Sequence, residues 1–129
     1  MSKLVELMKA QEHYYGLTGA TEEQITAAQG TLGLSFSDDY KEYISGIGVA
    51  SFAGHELTGI CPSPRLNVID VTEKNRKLCS TIPSSWYVIE ETNIDQIVIW
   101  QDVNGDIYKT QPDESPVKIA RGIADYINL

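Results

Sequence analysis

The sequence predicts a single α+β domain, and three observations carry that prediction. Apolar residues recur at helical spacing through the first third of the chain. Beyond Gly48 the texture changes to short β-branched and aromatic runs, punctuated by glycine, proline and an Asn-Gly pair. The final stretch, KIARGIADYINL, returns to helical spacing. Helices, then strands, then a closing helix, with no repeat or linker between them, give one domain over residues 1–129.

The elements follow in order. Leu4, Val5, Met8 and Gln11 share one helical face, ahead of Tyr15 and a stopping Gly16, so the chain opens with a helix of about three turns. LTGA is a turn. Thr21 with Gln24 three residues on is a capping-box pair, and Ile25, Ala28 and Leu32 line the helix behind it. Gly33 suits a left-handed helix stop. Ser37 is then the N-cap of a third helix, with Asp38 and Asp39 in its first turn, where the macrodipole favours carboxylates. Tyr40, Tyr43, Ile44 and Ile47 form its apolar face, and Gly46 and Gly48 close it.

VASFAGHELTGI reads as one or two strands around a glycine turn, and CPSPR as a loop. Val68, Val71, Asn75 and Leu78 lie on one face of a fourth helix with charges opposite. WYVIEE and IDQIVIWQ are strands, and Ile97-Val98-Ile99-Trp100 is apolar on both faces, which places it in the middle of a sheet covered from both sides, or with one face against another layer. Asn104-Gly105 marks a hairpin turn, and QPDESP is a loop. Ile119, Ile123, Tyr126 and Ile127 recur at helical spacing and close the chain with a helix.

Composition narrows the function classes. A hydrophobic share of 42%, with seven tyrosines and two tryptophans, belongs to a folded globule. No apolar run reaches the roughly 20 residues of a membrane span, and MSKLVELMKA lacks the apolar core and cleavage site of a signal peptide, so a cytoplasmic location is expected. Eighteen acidic residues against ten basic ones give a formal charge of −8, which opposes binding to nucleic acid or to an anionic membrane. The same charge accelerates association with a basic partner.

A catalytic constellation is not apparent. His13 and His55 are the only histidines, and neither Cys61 nor Cys79 sits in a glycine-flanked elbow beside one. Two separated cysteines form neither a zinc knuckle nor a redox pair. Asp102, Asn104 and Asp106 resemble the start of a calcium loop, but its glycine and bidentate glutamate positions hold Ile107 and Asp113. Asp38 with Asp39, and Glu90 with Glu91, are neighbours that face different ways on any regular element, so they make poor acid/base partners. The glycines match no phosphate-binding pattern. No metal, cofactor or catalytic residue is therefore expected, and a small hydrolase or transferase has nothing to support it.

One stretch carries a family signal. Ile25, a run of small residues, Leu32-Gly33, a polar step, Asp39-Tyr40-Lys41-Glu42-Tyr43-Ile44 and then Gly46 and Gly48 resemble the SUKH superfamily. These are bacterial immunity proteins whose eukaryotic namesake is a yeast regulator of cell-wall synthesis. Gln29 stands where that family usually has glutamate, Phe36-Ser37 where it has Leu-Pro, and Ser45-Gly46 near its Asn-Gly. Ser37 replaces a first-turn proline with a cap, and both start a helix. More loosely, Gly54 to Ile60 is similar to the family's first strand region, and Val68 to Leu78, with Glu73, Asn75 and Arg76, to its middle helix. Trp86 to Thr110 is similar to its strand-and-hairpin core, and Ile119 to Leu129, with Tyr126, to its closing helix.

The resemblance implies N-terminal helices packed on a mixed, bent sheet with a C-terminal helix. It also implies an antidote that neutralises a secreted polymorphic toxin, often a nuclease, by stoichiometric binding. On that reading Tyr40, Tyr43 and Ile44 build the scaffold and the Asp38-Asp39 turn is exposed. The partner would be a basic toxin domain, met by the clustered carboxylates Glu22, Glu23, Asp38, Asp39, Glu42, Glu90, Glu91 and Asp95. The alternative is a regulatory protein–protein interaction module with no toxin.

Overall fold

The computed structural model describes residues 2–129; residue 1 of the domain expected over 1–129 lies outside them. Side-chain caps start the helices where the sequence provides them. Ser2 accepts from the Val5 N–H and opens α1 (Lys3–Lys9). Thr21 and Gln24 form the expected reciprocal box at the head of α2 (Glu22–Leu32), at 3.1 and 2.9 Å. Gly33 ends α2 at φ +67°, where a Cβ is costly. Ser37 caps α3 (Asp38–Gly46) through the Tyr40 N–H, and Asn67 caps α4 (Val68–Leu78) through the Ile69 N–H. The closing helix α5 (Ile123–Ile127) has no cap from its own leading residue, Gly122.

Seven strands make two sheets. β1 (Tyr15–Gly16), β2 (Ala50–Phe52) and β3 (His55–Glu56) pair in that order, and β4 (Tyr87–Glu91), β5 (Val98–Gln101), β6 (Ile107–Thr110) and β7 (Val117–Ala120) form a meander. Every ladder among the described strands is antiparallel, and one antiparallel bridge, Leu57 to Glu90, links the sheets. The α+β class holds, but the single mixed sheet is replaced by two antiparallel ones. The reason is connection length. A parallel pair needs a crossover of about a dozen residues or more, and β4 to β7 are joined only by short loops.

Two boundaries also differ from expectation. α1 stops at Lys9, and Tyr15–Gly16 does not end a helix but pairs with Ser51 and Ala50 of β2. The closing segment is half strand: Val117–Ala120 pairs with β6, leaving just over one turn of helix. Leu78, expected on the buried face of α4, is 73% exposed, while Val68, Val71 and Asn75 are buried as predicted.

The four-stranded sheet carries an apolar cluster on each face, the smaller one leaving it partly open near Val98. On one face Ile99 and Ile107 join the main core with Tyr40, Tyr43, Ile44, Phe36 and Tyr126. On the other, Val88 and Trp100 pack with Val71 of α4. β4 breaks strict alternation once. Val88 pairs with Trp100 and Glu90 with Ile99, leaving Ile89 without a partner across the ladder. This register shift turns Glu90 into the core and Glu91 toward α4. At the end of α3, Gly48 sits at φ +83° with its missing Cβ only 2.2 Å from the Thr18 carbonyl oxygen, so only glycine fits. No described helix is long and apolar enough to cross a membrane.

Candidate functional site

The family-like stretch is a scaffold. Tyr40 and Tyr43 are fully buried; the Tyr40 hydroxyl meets Thr58 Oγ1 at 2.9 Å and the Tyr43 hydroxyl donates to the Thr58 carbonyl at 2.6 Å. Burial raises both phenols, and that of Tyr87, well above the usual tyrosine range. These hydroxyls serve as hydrogen-bonding struts, not acids.

The eight carboxylates nominated from sequence do not form one face. Glu22, Asp38 and Glu42 line an open cleft of about 460 Å³ between α2 and α3, with Lys41 as its one cation and Glu23 exposed beside Glu22 on the first turn of α2. The Glu42 carboxylate also accepts from the Ser2 hydroxyl and so ties α1 to α3. Glu91 and Asp95 line a different cleft, at the far end of α4.

Asp39 and Glu90 belong to neither surface. Asp39, expected in an exposed turn, is half-buried: its Oδ1 accepts from Gln101 Nε2 at 3.0 Å and its Oδ2 from the Ile123 N–H at 2.8 Å. It thereby supplies the N-cap that α5 lacks. Glu90 is buried, at 4% exposure. Its Oε1 accepts from His55 Nδ1 at 3.0 Å and from the Tyr126 hydroxyl, and its Oε2 from the Glu56 N–H at 2.8 Å. The hydrogen bond to Glu90 raises the His55 pKa above the ordinary histidine value, and burial beside that carboxylate raises Tyr126. Asp39 and Glu90 thus act as internal fasteners.

Sequence reasoning did not bring His55 and Glu90 together and so missed this network. Only the β4 register shift brings Glu90 to His55, and nothing local in WYVIEE signals it. Among the described residues neither cysteine hydrogen-bonds to His55. His55 Nδ1 faces Glu90, while Cys61 Sγ donates weakly to the Ser63 carbonyl at 3.5 Å. Both cysteines are free and half-buried. Asp102 accepts from the Asn104 and Asp106 N–H groups and from the Tyr108 hydroxyl, so the calcium-like residues build the hairpin turn. Among the described residues no group of three or more His, Cys, Asp or Glu is placed to hold a metal ion.

The cleft at the end of α4 is the larger, at about 770 Å³. It exists because α4 stops short and leaves part of the sheet uncovered. Val98 and Thr110, paired across β5 and β6, form its floor, and Leu78 forms one wall. Glu91 bridges Lys74 at 2.8 Å and Asn75 at 3.0 Å on its rim. The opposite lip is the β4–β5 loop, where Asn93, Asp95 and Gln96 all hold positive φ and Ile94 is 63% exposed.

These features define the class: a small α+β domain with carboxylate-lined clefts at its surface. The family model described as SMI1-KNR4 cell-wall (SUKH_5) matches residues 1–115, and the chain belongs to that family. The match takes in α1 to β6, while β7 and α5 lie beyond it. A comparison with curated proteins finds no match.

Proposed function

We propose that the chain is an immunity protein that binds a cognate polymorphic toxin and neutralises it by stoichiometric occlusion, without catalysis. The family assignment over residues 1–115 carries this reading. The geometry supports it: the chain's most perturbed titratable groups (Tyr40, Tyr43, Tyr87, Tyr126) are engaged inside the fold, and open carboxylates remain on α2 and α3. An antidote gains from fast capture, and a net charge of −8 speeds encounter with a basic toxin domain, a nuclease being the first class to test.

The test is co-expression with a toxin domain encoded by a neighbouring gene. Protection of the cells and a 1:1 complex on size-exclusion chromatography are expected. Stopped-flow association should slow steeply between low and physiological salt, and Glu22→Lys, Asp38→Lys and Glu42→Lys should slow association more than they speed dissociation. Absence of a complex refutes the toxin reading and favours a regulatory binding module; a salt-independent on-rate removes the role given to charge.

A further inference from the structure

We infer that the cleft at the end of α4 is a docking surface for a protein segment that carries an apolar anchor beside a basic side chain. This rests on the reading of the chain as a binding protein and adds to it the place and chemistry of the anchor. Four observations converge there. The floor is an uncovered patch of sheet at Val98, backed by Ile97. Leu78, one of the chain's most exposed large apolar residues at 73%, lines the α4 wall, and the opposite lip is lined by Asn93, Asp95 and Gln96. Asp95, beside Ile94, has no ion pair among the described residues, and Glu91 leaves the rim acidic overall against its single cation, Lys74. An apolar floor under unpaired carboxylate fits a lysine- or arginine-flanked aliphatic or aromatic side chain and rejects an acidic one.

The fourth observation is rigidity. Positive φ at Asn93, Asp95 and Gln96 is an unfavourable conformation for three of the loop's residues. It is held by Thr92, whose Oγ1 donates to the Ile97 carbonyl at 2.9 Å and accepts from the Ile94 N–H at 3.2 Å, while the Thr92 N–H donates to the same carbonyl at 3.2 Å. The lip formed by Asn93, Asp95 and Gln96 is therefore already fixed in shape, which lowers the ordering cost of a contact made against it.

The experiment titrates the isotope-labelled full chain with a synthetic peptide of about twelve alternating leucines and lysines, against a lysine–serine peptide of equal charge. Amide shifts are expected at Leu78, Ile97, Val98 and Thr110. Affinity should fall roughly tenfold or more in Leu78→Asp, in Asp95→Lys and with the serine peptide, as for a buried anchor and its charged rim. Leu78 and Asp95 are exposed, so both variants keep the fold. The inference is overturned if the peptides bind equally, if shifts centre on Glu22, Asp38 and Glu42, if neither peptide binds, or if the free chain already buries Leu78 in a dimer. A chain that takes the leucine peptide here yet fails to protect cells leaves the cleft standing and refutes the toxin reading alone.

Discussion

Asp39 and Asp38 are adjacent carboxylates in the first turn of α3, and the structure gives them very different weights. Asp38 is fully exposed, 3.8 Å from Lys41 one turn on; truncating it loses only a helix-terminus interaction of about 0.3–1 kcal/mol. Asp39→Ala removes an acceptor from the Gln101 amide and from the Ile123 N–H, both on buried residues. Hydrogen bonds to charged groups are worth about 1.5–3 kcal/mol each. Gln101 Nε2 keeps a second acceptor in the Gly105 carbonyl, at 3.1 Å, so its share falls at the low end. A total of about 3 kcal/mol follows for Asp39→Ala, equivalent to a melting shift of roughly 10 °C for a chain of this size. Urea melts of the two variants, followed by circular dichroism, measure the difference directly. Hydrogen exchange at Ile123 should accelerate in Asp39→Ala and not in Asp38→Ala, because α5 has lost its only cap. Two variants within about 1 kcal/mol of each other, or Asp38→Ala the weaker protein, would show that the Asp39 contacts hold nothing together.

Three further outcomes are expected. Tyr40→Ala should destabilise by about 3–5 kcal/mol and Tyr40→Phe by about 1 kcal/mol, the first from a cavity in the core and the second from the Thr58 hydrogen bond; equal losses in denaturant melts would argue against a packed ring. The folded-state pKa of His55 is raised by Glu90, so its contribution to stability is fully present below the ordinary histidine value and is lost as pH rises through the raised one. Urea midpoints should accordingly decline from about pH 6.5 upward, and His55→Gln should flatten that limb. Gly48→Ala forces a Cβ against the Thr18 carbonyl at a left-handed φ, and a loss of about 2 kcal/mol or more is expected; an unchanged thermal midpoint would mean that the backbone approach of Thr18 to Gly48 is loose.

What the sequence made legible was local. Thr21 with Gln24, Ser37 with Tyr40, and Asn104-Gly105 are interactions closed within a few residues, and each is found where it was read. The core face of α3 was legible for the same reason, since helical spacing alone brings Tyr40, Tyr43 and Ile44 together. The misread segments depend on distant partners. Tyr15–Gly16 becomes a strand through β2, far along the chain, and Val117–Ala120 through β6, although Ile119 and Ile123 keep helical spacing. The carboxylates divide along the same line. Glu22, Asp38 and Asp95 are exposed as expected, whereas Asp39 is claimed by Ile123 and Glu90 by His55, contacts that no local pattern encodes.

The shift at Ile89 makes β4 a strand with two readings. Slipped back by one residue, the same chain would alternate strictly, with Glu90 toward Lys74 and Asn75 and Glu91 toward His55 and Tyr126. The two side chains that change places are identical, so their chemistry cannot choose between the readings. Tyr87 and Ile89 face the core and Val88 faces α4 in either form, so the choice falls to the pairing of the strand's end, where Glu90 stands opposite Ile99. Replacing Glu91 by valine would therefore do more than break its bridge to Lys74: it would leave one carboxylate and one apolar side chain, and the unshifted register would then place the apolar one inward. Replacing Glu90 by valine biases the strand the other way and leaves His55 and Tyr126 without an acceptor. The strand's fidelity is thus written in its neighbours, and a drift of either glutamate toward an apolar residue changes which way the whole end of β4 faces.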